Sequence, residues 1–204
     1  MLDEFYRTPG TVEDWRVLRS EGYLGDAQIQ RPDGQWMPME SLPPLLRTLL
    51  VTDGTVTKVL EAFFWEPVNV SALELNVKRA EREIPWLELD IGEEVLARKV
   101  RLIGQHSGRL FTEAFSAIKL AEFDPSLREA LVQGHVGIGV LLRESGLETY
   151  REIMAVGMEY GEDENSSGVE DLRVYRTYRI TRDKKPVILI RESFPCRLYD
   201  QTSS

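Results

Sequence analysis

The sequence predicts an α+β domain in which one antiparallel sheet of six strands carries helices on one side. Six segments are long and rich in β-branched and aromatic residues, which is typical of strands. Three hairpin-like connections join neighbouring segments, one of them a tight turn at 105–108, and such connections favour antiparallel pairing. The chain of 204 residues fits one domain, or one domain with an extension.

Residues 1–40 are interpreted as an N-terminal extension and residues 41–204 as the domain. Thr11 is a possible N-cap of a helix, and the Pro-Asp-Gly turn at 32–34 suggests a short hairpin. No chemistry is evident in this part of the chain. We therefore expect the extension to serve as a packing arm.

The domain begins with two short helices. Ser41 as a cap, followed by Pro43 and Pro44, predicts the start of the first, and Asp53-Gly54 ends it before a second at 55–64. Strands are then expected at 68–77, 94–103, 109–120, 147–160, 172–181 and 187–194, with two helices between the third and fourth strands, at 124–132 and up to residue 144.

Composition and charge exclude several classes of function. A net charge of −9 argues against a nucleic-acid partner and requires any anion site to be built from local arginines. No apolar run is long enough for a membrane span, and the N-terminus does not resemble a signal peptide, so the cytoplasm is the expected location. A single cysteine, Cys196, excludes an intrachain disulfide and a cysteine-built metal site. Two distant histidines, His106 and His135, are a weak basis for any other metal site.

Three charged residues interrupt otherwise apolar strand faces. Because side chains alternate along a strand, Glu192 shares its face with Ile188, Ile190 and Phe194. The same alternation places Arg98 on the apolar face of the second strand and Arg176 on that of the fifth. A buried charge is costly unless it is paired or has a function.

Two interpretations of these charges remain open. One is a structural ion pair, such as Arg98 with Glu192. The other is a pocket for a small aromatic or cyclic acid, in which an arginine holds the carboxylate and apolar walls hold the ring. The glycine-rich segment 134–139 lacks the features of a nucleotide loop, but as a tight turn it suits backbone N–H donation to a carboxylate.

Together these residues resemble the chorismate pyruvate-lyase (4-hydroxybenzoate synthase) family, in its shorter, divergent branch. The resemblance covers residues 42–199 and rests on five stretches, namely Leu50 to Lys58, Leu96-Ala97-Arg98, Val136 to Gly139, Lys185-Pro186 and Ile190 to Phe194. It implies a six-stranded antiparallel sheet with helical flaps over an enclosed ligand site.

The resemblance also implies a reaction and the residues that perform it. The family eliminates pyruvate from chorismate to give 4-hydroxybenzoate, a precursor for quinone or other aromatic biosynthesis, without metal or organic cofactor. By position, Arg98 matches the arginine that holds the ligand and Glu192 the acid/base at its hydroxyl end. Val56 and Ile138 match ligand contacts from the flaps. The implied partner is a small aromatic or cyclic carboxylic acid.

One departure from the family pattern leaves alternatives open. Better-known members carry a second arginine on the third strand, whereas residues 110–116 contain none. Chorismate has two carboxylates, and strand parity alone makes Arg176 a possible partner for the second. A same-fold enzyme with another substrate, such as a biosynthetic cyclase, or a non-catalytic ligand-binding module, would also fit the sequence.

Overall fold

The structure is a computed structural model that describes residues 2–6, 27–134, 136–162 and 170–200. The helix predicted at Thr11 and the histidine His135 lie outside the described residues. None of the helices described is long and apolar enough to cross a membrane.

The predicted six-stranded antiparallel sheet is confirmed. Its strands, in chain order, are β3 (Val68–Arg79), β4 (Glu94–Gly104), β5 (Leu110–Ile118), β6 (Tyr150–Glu162), β7 (Glu170–Arg182) and β8 (Lys185–Pro195). They are arranged in the order β3-β4-β5-β8-β7-β6, and every neighbouring pair is antiparallel. The last strand of the chain is therefore inserted into the middle of the sheet, and β8 is buried along almost its whole length.

Four helices cover one face of the sheet. They are α2 (Pro44–Val51), α3 (Val56–Phe64), α4 (Pro125–Gln133) and α5 (Ile138–Glu144), and a short α6 (Cys196–Asp200) follows the last strand. One pair, α2 and α3, precedes the sheet in the chain, and the other, α4 and α5, connects β5 to β6. The opposite face is partly covered at one end by a short α1 (Asp3–Tyr6) and by the segment 80–89, so the covering is not confined to one side.

The start of α2 differs from the prediction. Ser41 ends a 3-10 turn (Met39–Ser41), and its hydroxyl donates to the Pro38 carbonyl instead of capping a helix. A residue that precedes proline is held in an extended conformation. Because two prolines follow Leu42 in succession, the helix begins only at Pro44.

The predicted hairpin around residues 32–34 is present and packs on the domain. It consists of β1 (Gln28–Gln30) and β2 (Trp36–Pro38), paired antiparallel. Ile29 of β1 and Met39, which directly follows β2, are buried in the core cluster that also contains residues of α2 and α3.

The helix-covered face carries two separate apolar clusters. The first joins α2 and α3 to one end of the central strands, including Val100 and Phe194. The second joins α4 and α5 to the other end, including Leu96 and Ile188. The three charged residues identified from strand parity lie between the clusters in the strand direction, so the site is formed where two cores meet.

Candidate active site

A cavity of about 70 Å³ lies between the sheet and the starts of α3 and α5. All six strands of the sheet contribute residues to its floor and walls, and residues 54–57 and 137–140 at the starts of α3 and α5 form its cover. The four predicted site residues Arg98, Glu192, Val56 and Ile138 all line this one cavity. Apolar side chains form most of the rest of the wall, which suits a small organic ligand.

Arg98 lines this cavity and has hydrogen-bond donors that are not satisfied. The residue is 1% exposed, and Nη2 donates to the carbonyls of Gly134 (3.1 Å) and Val136 (2.8 Å). Its Nε and Nη1 are buried and have no hydrogen-bond partner among the described residues. Burial lowers the pKa of Arg98 to about 10, so the side chain remains a cation at neutral pH. Because buried polar groups are normally satisfied, this arrangement indicates an anion site.

Glu192 is held by two side chains of the neighbouring strand β7. Arg176 Nε donates to its Oε2 at 2.8 Å, and the Tyr178 hydroxyl donates to its Oε1 at 3.2 Å. The carboxylate is nearly buried and also lines the cavity. Burial, followed by the charge of Glu192, raises the pKa of Tyr178, which therefore stays protonated and able to donate.

Of the two interpretations left open, a buried ion pair does form, but the partners named for it were wrong, because Glu192 pairs with Arg176 and not with Arg98. The register explains the choice. Arg176 lies directly opposite Glu192 across the β7–β8 ladder, whereas Arg98 is two strands away on β4, opposite Ser116 of β5. Arg98 and Glu192 therefore reach the cavity as separate groups.

Arg176 binds protein groups instead of presenting its guanidinium to the cavity. Besides Glu192, its Nη1 donates to the Thr52 carbonyl in the connection between α2 and α3 at 2.5 Å. Burial alone would lower the pKa of Arg176, but Glu192 and Tyr178 together outweigh this effect and raise it. Arg176 is not among the described residues that line the cavity, so these contacts do not support it as the partner of a second substrate carboxylate.

Val56 and Ile138 are the first residues of α3 and α5. The first N–H groups of a helix have no carbonyl partner inside the helix, so they are available to a ligand. Gly137 and Gly139 flank Ile138, which leaves the backbone at the start of α5 uncovered by neighbouring side chains. The two flaps thus bring peptide groups to the same cavity that contains Arg98.

Sequence reasoning missed three polar residues that the sheet contributes to the cavity, Ser116, Tyr178 and Arg151. Tyr178 was on the face predicted for the fifth strand, but its contact with Glu192 depends on the register of β7 and β8. Arg151 lies at the start of β6, where an irregularity between Ile153 and Ala155 breaks the alternation of faces. Its Nη1 donates to the Asp53 carbonyl at 2.9 Å.

A second concavity of about 250 Å³ lies on the opposite face of the sheet. Its cationic side chains all have ion-pair partners: Lys99 and Arg101 pair with Glu113, Arg191 with Glu159, and Arg173 with Asp171. Arg98 has no ion-pair partner among the described residues, which distinguishes the smaller, apolar cavity as the candidate active site.

Metal chemistry and a cysteine nucleophile receive no support from the described part of the chain. Those residues contain no cluster of three or more histidine, cysteine or carboxylate side chains that could hold a metal ion. Burial raises the pKa of the Cys196 thiol to about 12, so it is a thiol and not a thiolate at neutral pH.

The fold and the cavity define a class of α+β protein in which helical flaps enclose a small-molecule site on one face of an antiparallel sheet. Within that class the chain belongs to the Rv2949c-like chorismate pyruvate-lyase family, whose model matches residues 50–201. A chorismate pyruvate-lyase from Mycobacterium leprae (strain TN) is 32% identical over 162 residues, which cover 77% of each chain.

Solved structures with the same fold include PhnF from Mycobacterium smegmatis, with a TM-score of 0.54 and 14% identity. The similarity covers 71% of this chain and 65% of that one, so this chain spans less than two thirds of PhnF. A GntR-family transcriptional regulator from Bacillus cereus matches with a TM-score of 0.50 and 12% identity, over 64% of this chain and 92% of that one. At this level of identity the likeness shows the fold alone.

Proposed function

We propose that this protein eliminates pyruvate from chorismate and thereby forms 4-hydroxybenzoate. The observation that carries the proposal is the buried guanidinium of Arg98, whose Nε and Nη1 have no partner among the described residues, in an apolar cavity shared with Glu192. Membership of the chorismate pyruvate-lyase family supports the choice of substrate.

In this proposal the ring carboxylate of chorismate accepts a hydrogen bond from Nε or Nη1 of Arg98, the two donors without a described partner. Nη2 already donates to two carbonyl groups, so Arg98 holds the carboxylate by its charge and a single charge-assisted hydrogen bond. The peptide groups at Val56 and Ile138, the first residues of α3 and α5, add contacts from the two flaps. The apolar wall accommodates the ring.

We assign to Glu192 the transfer of the proton in the reaction. The hydrogen leaves the ring carbon that bears the hydroxyl, and the ether bond to the enolpyruvyl group breaks at the adjacent ring carbon. The ring becomes aromatic, and the released enolpyruvate takes up a proton at its methylene carbon to become pyruvate. One proton is removed and one is returned, so a single carboxylate suffices. Aromatisation drives the reaction, and the protein mainly orients the substrate.

The proposal is tested by mixing purified protein with chorismate and following pyruvate by a coupled assay and 4-hydroxybenzoate by chromatography. Arg98→Gln and Glu192→Gln should each lower kcat/KM by about a hundredfold or more, since each removes a charged group from the cavity. Glu144→Gln is the matched control, because Glu144 is exposed at the end of α5. The absence of pyruvate release above background would contradict the proposal.

A same-fold enzyme with a different substrate is the second candidate. The observation that favours it is the composition of β5, which contributes Ala114 and Ser116 to the cavity and no arginine. Such an enzyme, or a non-catalytic ligand-binding module, would bind an aromatic acid without releasing pyruvate from chorismate. Turnover therefore separates both from the first proposal.

We also infer that residues 41–204 form the catalytic domain and that residues 1–40 are an extension packed on it. The burial of Ile29 and Met39 in the core beside α2 and α3 supports this division. Removal of residues 1–40 should lower the Tm, since it exposes that core. An unchanged Tm would contradict the packing role.

We also propose that the protein is located in the cytoplasm. Fractionation of cells that express the protein would test this location.

A further inference from the structure

We propose that Arg151 binds the second carboxylate of the substrate, the one on the enolpyruvyl side chain. This inference rests on the proposed function, because it assumes a substrate with two carboxylates. Arg98 is one cation, with Nε and Nη1 free of described partners, and so accounts for one carboxylate. The other must meet a second cation or remain buried without a partner, which would be costly.

The wall of the cavity identifies the second cation. Of the described residues that line it, Arg98 and Arg151 are the cations and Glu192 is the anion. A dianionic substrate bound to this set leaves a net charge of −1, whereas without Arg151 it would leave −2. Arg176 is not a wall residue, and it already donates to Glu192 and the Thr52 carbonyl.

The position of the Arg151 guanidinium fits a ligand contact. It is half-buried, and Nη1 donates to the carbonyl of Asp53, just before the first flap. Nη2 lies at the other flap, 3.4 Å from the place that a Cβ on Gly139 would occupy. The same Cβ would lie 3.6 Å from Thr55 Oγ1. The guanidinium thus lies where the starts of α3 and α5 meet, and the glycine leaves room around Nη2.

The two arginines approach the same short segment of the second flap. Arg98 donates to Val136, and Arg151 lies beside Gly139, three residues further along the chain. They come from β4 and β6, which are separated by three strands, so their guanidinium groups enter the cavity from different sides. Two carboxylates at opposite ends of one small molecule match this arrangement.

The inference predicts that Arg151 distinguishes the substrate from the aromatic product. Chorismate has two carboxylates, whereas 4-hydroxybenzoate has only the ring carboxylate assigned to Arg98. Loss of Arg151 should therefore weaken the binding of chorismate and leave the binding of the product unchanged. Loss of Arg98 should weaken the binding of both ligands.

The experiment compares KM for chorismate with the inhibition constant of 4-hydroxybenzoate in wild type, Arg151→Gln, Arg151→Lys and Arg98→Gln. Arg151→Gln should raise KM by about tenfold to a hundredfold, as expected for loss of a charge-assisted hydrogen bond, with product inhibition changed by less than about twofold. Arg151→Lys keeps the charge without the fork and should fall between wild type and Arg151→Gln. An unchanged KM in Arg151→Gln overturns the inference, and so does an equal loss of affinity for chorismate and for 4-hydroxybenzoate.

Arg47→Gln is the matched control. Arg47 is also half-buried and donates a guanidinium hydrogen bond to a backbone carbonyl, that of Glu40, but it does not line the cavity. The variant Arg47→Gln should leave KM for chorismate and the inhibition constant of 4-hydroxybenzoate unchanged. A similar rise in KM in Arg47→Gln would show that the effect of Arg151→Gln is structural and would overturn the inference.

Failure of the proposed function remains distinguishable. If the wild-type protein releases no pyruvate, the proposed reaction is wrong, and calorimetry then measures the binding of intact chorismate. Weaker chorismate binding by Arg151→Gln, with 4-hydroxybenzoate binding retained, still supports the contact. Equal chorismate binding by both proteins, or none by wild type, overturns it.

Discussion

Arg176 and Glu192 lie opposite each other on β7 and β8, with Arg176 Nε 2.8 Å from Glu192 Oε2. The arginine is 1% exposed and the glutamate 7% exposed, so water screens their interaction little. The contact of Arg176 with the Thr52 carbonyl also ties this pair to the connection before α3. Arg176 is thus a positioning residue, which fixes the cavity carboxylate and the loop above it.

Removal of one partner of this pair should be more costly than removal of both. Arg176→Met leaves a buried carboxylate uncompensated and should lower the free energy of unfolding by about 3–5 kcal/mol. The double variant Arg176→Met/Glu192→Met should recover part of that loss, since neither charge remains. Urea denaturation of wild type, Arg176→Met, Glu192→Met and the double variant gives the coupling energy.

Lys58 and Glu61 provide a more solvent-accessible reference pair within α3, with side chains 63% and 26% exposed. Lys58→Met should change the free energy of unfolding by no more than about 1 kcal/mol, the usual value for a surface ion pair. Additive effects of the two substitutions at Arg176 and Glu192 would contradict the buried-pair interpretation.

Tyr178 should affect catalysis through Glu192. Tyr178→Phe keeps the aromatic ring, which packs 4.8 Å from the Arg176 guanidinium, and removes the hydroxyl that donates to Glu192 Oε1. A hydrogen bond to a charged group contributes about 1.5–3 kcal/mol, so kcat for pyruvate release should fall by about tenfold to a hundredfold. Tyr150→Phe is the control, since Tyr150 is 63% exposed at the start of β6. An unchanged kcat in Tyr178→Phe would argue against this contact in catalysis.

Gly134 should be less tolerant of a side chain than Gly146. Both have positive φ, +73° and +69°, so an alanine at either position is strained. A Cβ at Gly134 would also lie 2.4 Å from Leu75 Cδ1, whereas none of the described atoms lies within 4 Å of the corresponding position at Gly146. Gly134→Ala should therefore lower the Tm more than Gly146→Ala.

Gly134→Ala should also weaken 4-hydroxybenzoate binding, because the Gly134 carbonyl accepts a hydrogen bond from Arg98 Nη2. Gly146→Ala should bind the product as wild type does. The two melting temperatures and the two product inhibition constants measure both expectations. Identical values for the two variants would contradict the role of the Leu75 contact.

Glu66 should make stability depend on acid pH. The backbone N–H groups of His106 and Ser107, in the β4–β5 turn, both donate to its carboxylate at 2.9 Å. Hydrogen bonds from Ser107 are the largest contribution, and they lower the pKa of Glu66 from its ordinary value of 4.5 to about 2. A lowered pKa in the folded state means that the ionised carboxylate stabilises the fold above about pH 4.5, and that this contribution disappears as the pH falls toward 2.

The measurement is the Tm of wild type and Glu66→Gln between pH 2 and pH 7. Wild type should melt at a higher temperature near neutral pH, and the difference should narrow below about pH 4.5. Glu40→Gln is the control, because Glu40 is exposed and makes no such side-chain contact in the described structure. A difference for Glu66→Gln that stays constant down to pH 2 would contradict the expected role of the carboxylate.

Strand parity predicted three interior charged residues, two of which line the cavity. The period of two along a strand is a local property, so it placed Glu192 on an apolar face together with Ile188 and Ile190. The same period placed Arg98 and Arg176 on interior faces, and all three are buried. The main strands and helices were also predicted in their sequence along the chain, because their type depends on local patterns of residues.

Parity does not determine which residues lie opposite each other, because a single irregularity shifts the register of every later pair. In the β7–β8 hairpin, Arg182 is opposite Lys185, and uninterrupted pairing would place Arg176 opposite Arg191. The irregularity between Ile180 and Thr181 shifts the ladder by one residue, so that Arg176 meets Glu192 instead.

The sequence by itself thus determined the α+β class, the strands and the charged residues of the interior, because these follow from local periodicity. Only the tertiary structure decided that Glu192 pairs with Arg176, that Arg98 keeps two donors free of described partners, and that Arg151 enters the same cavity. Those outcomes depend on strand order, on irregularities in the ladders and on where the loops place their carbonyl groups. Each of these is a relationship between residues that are distant in the chain.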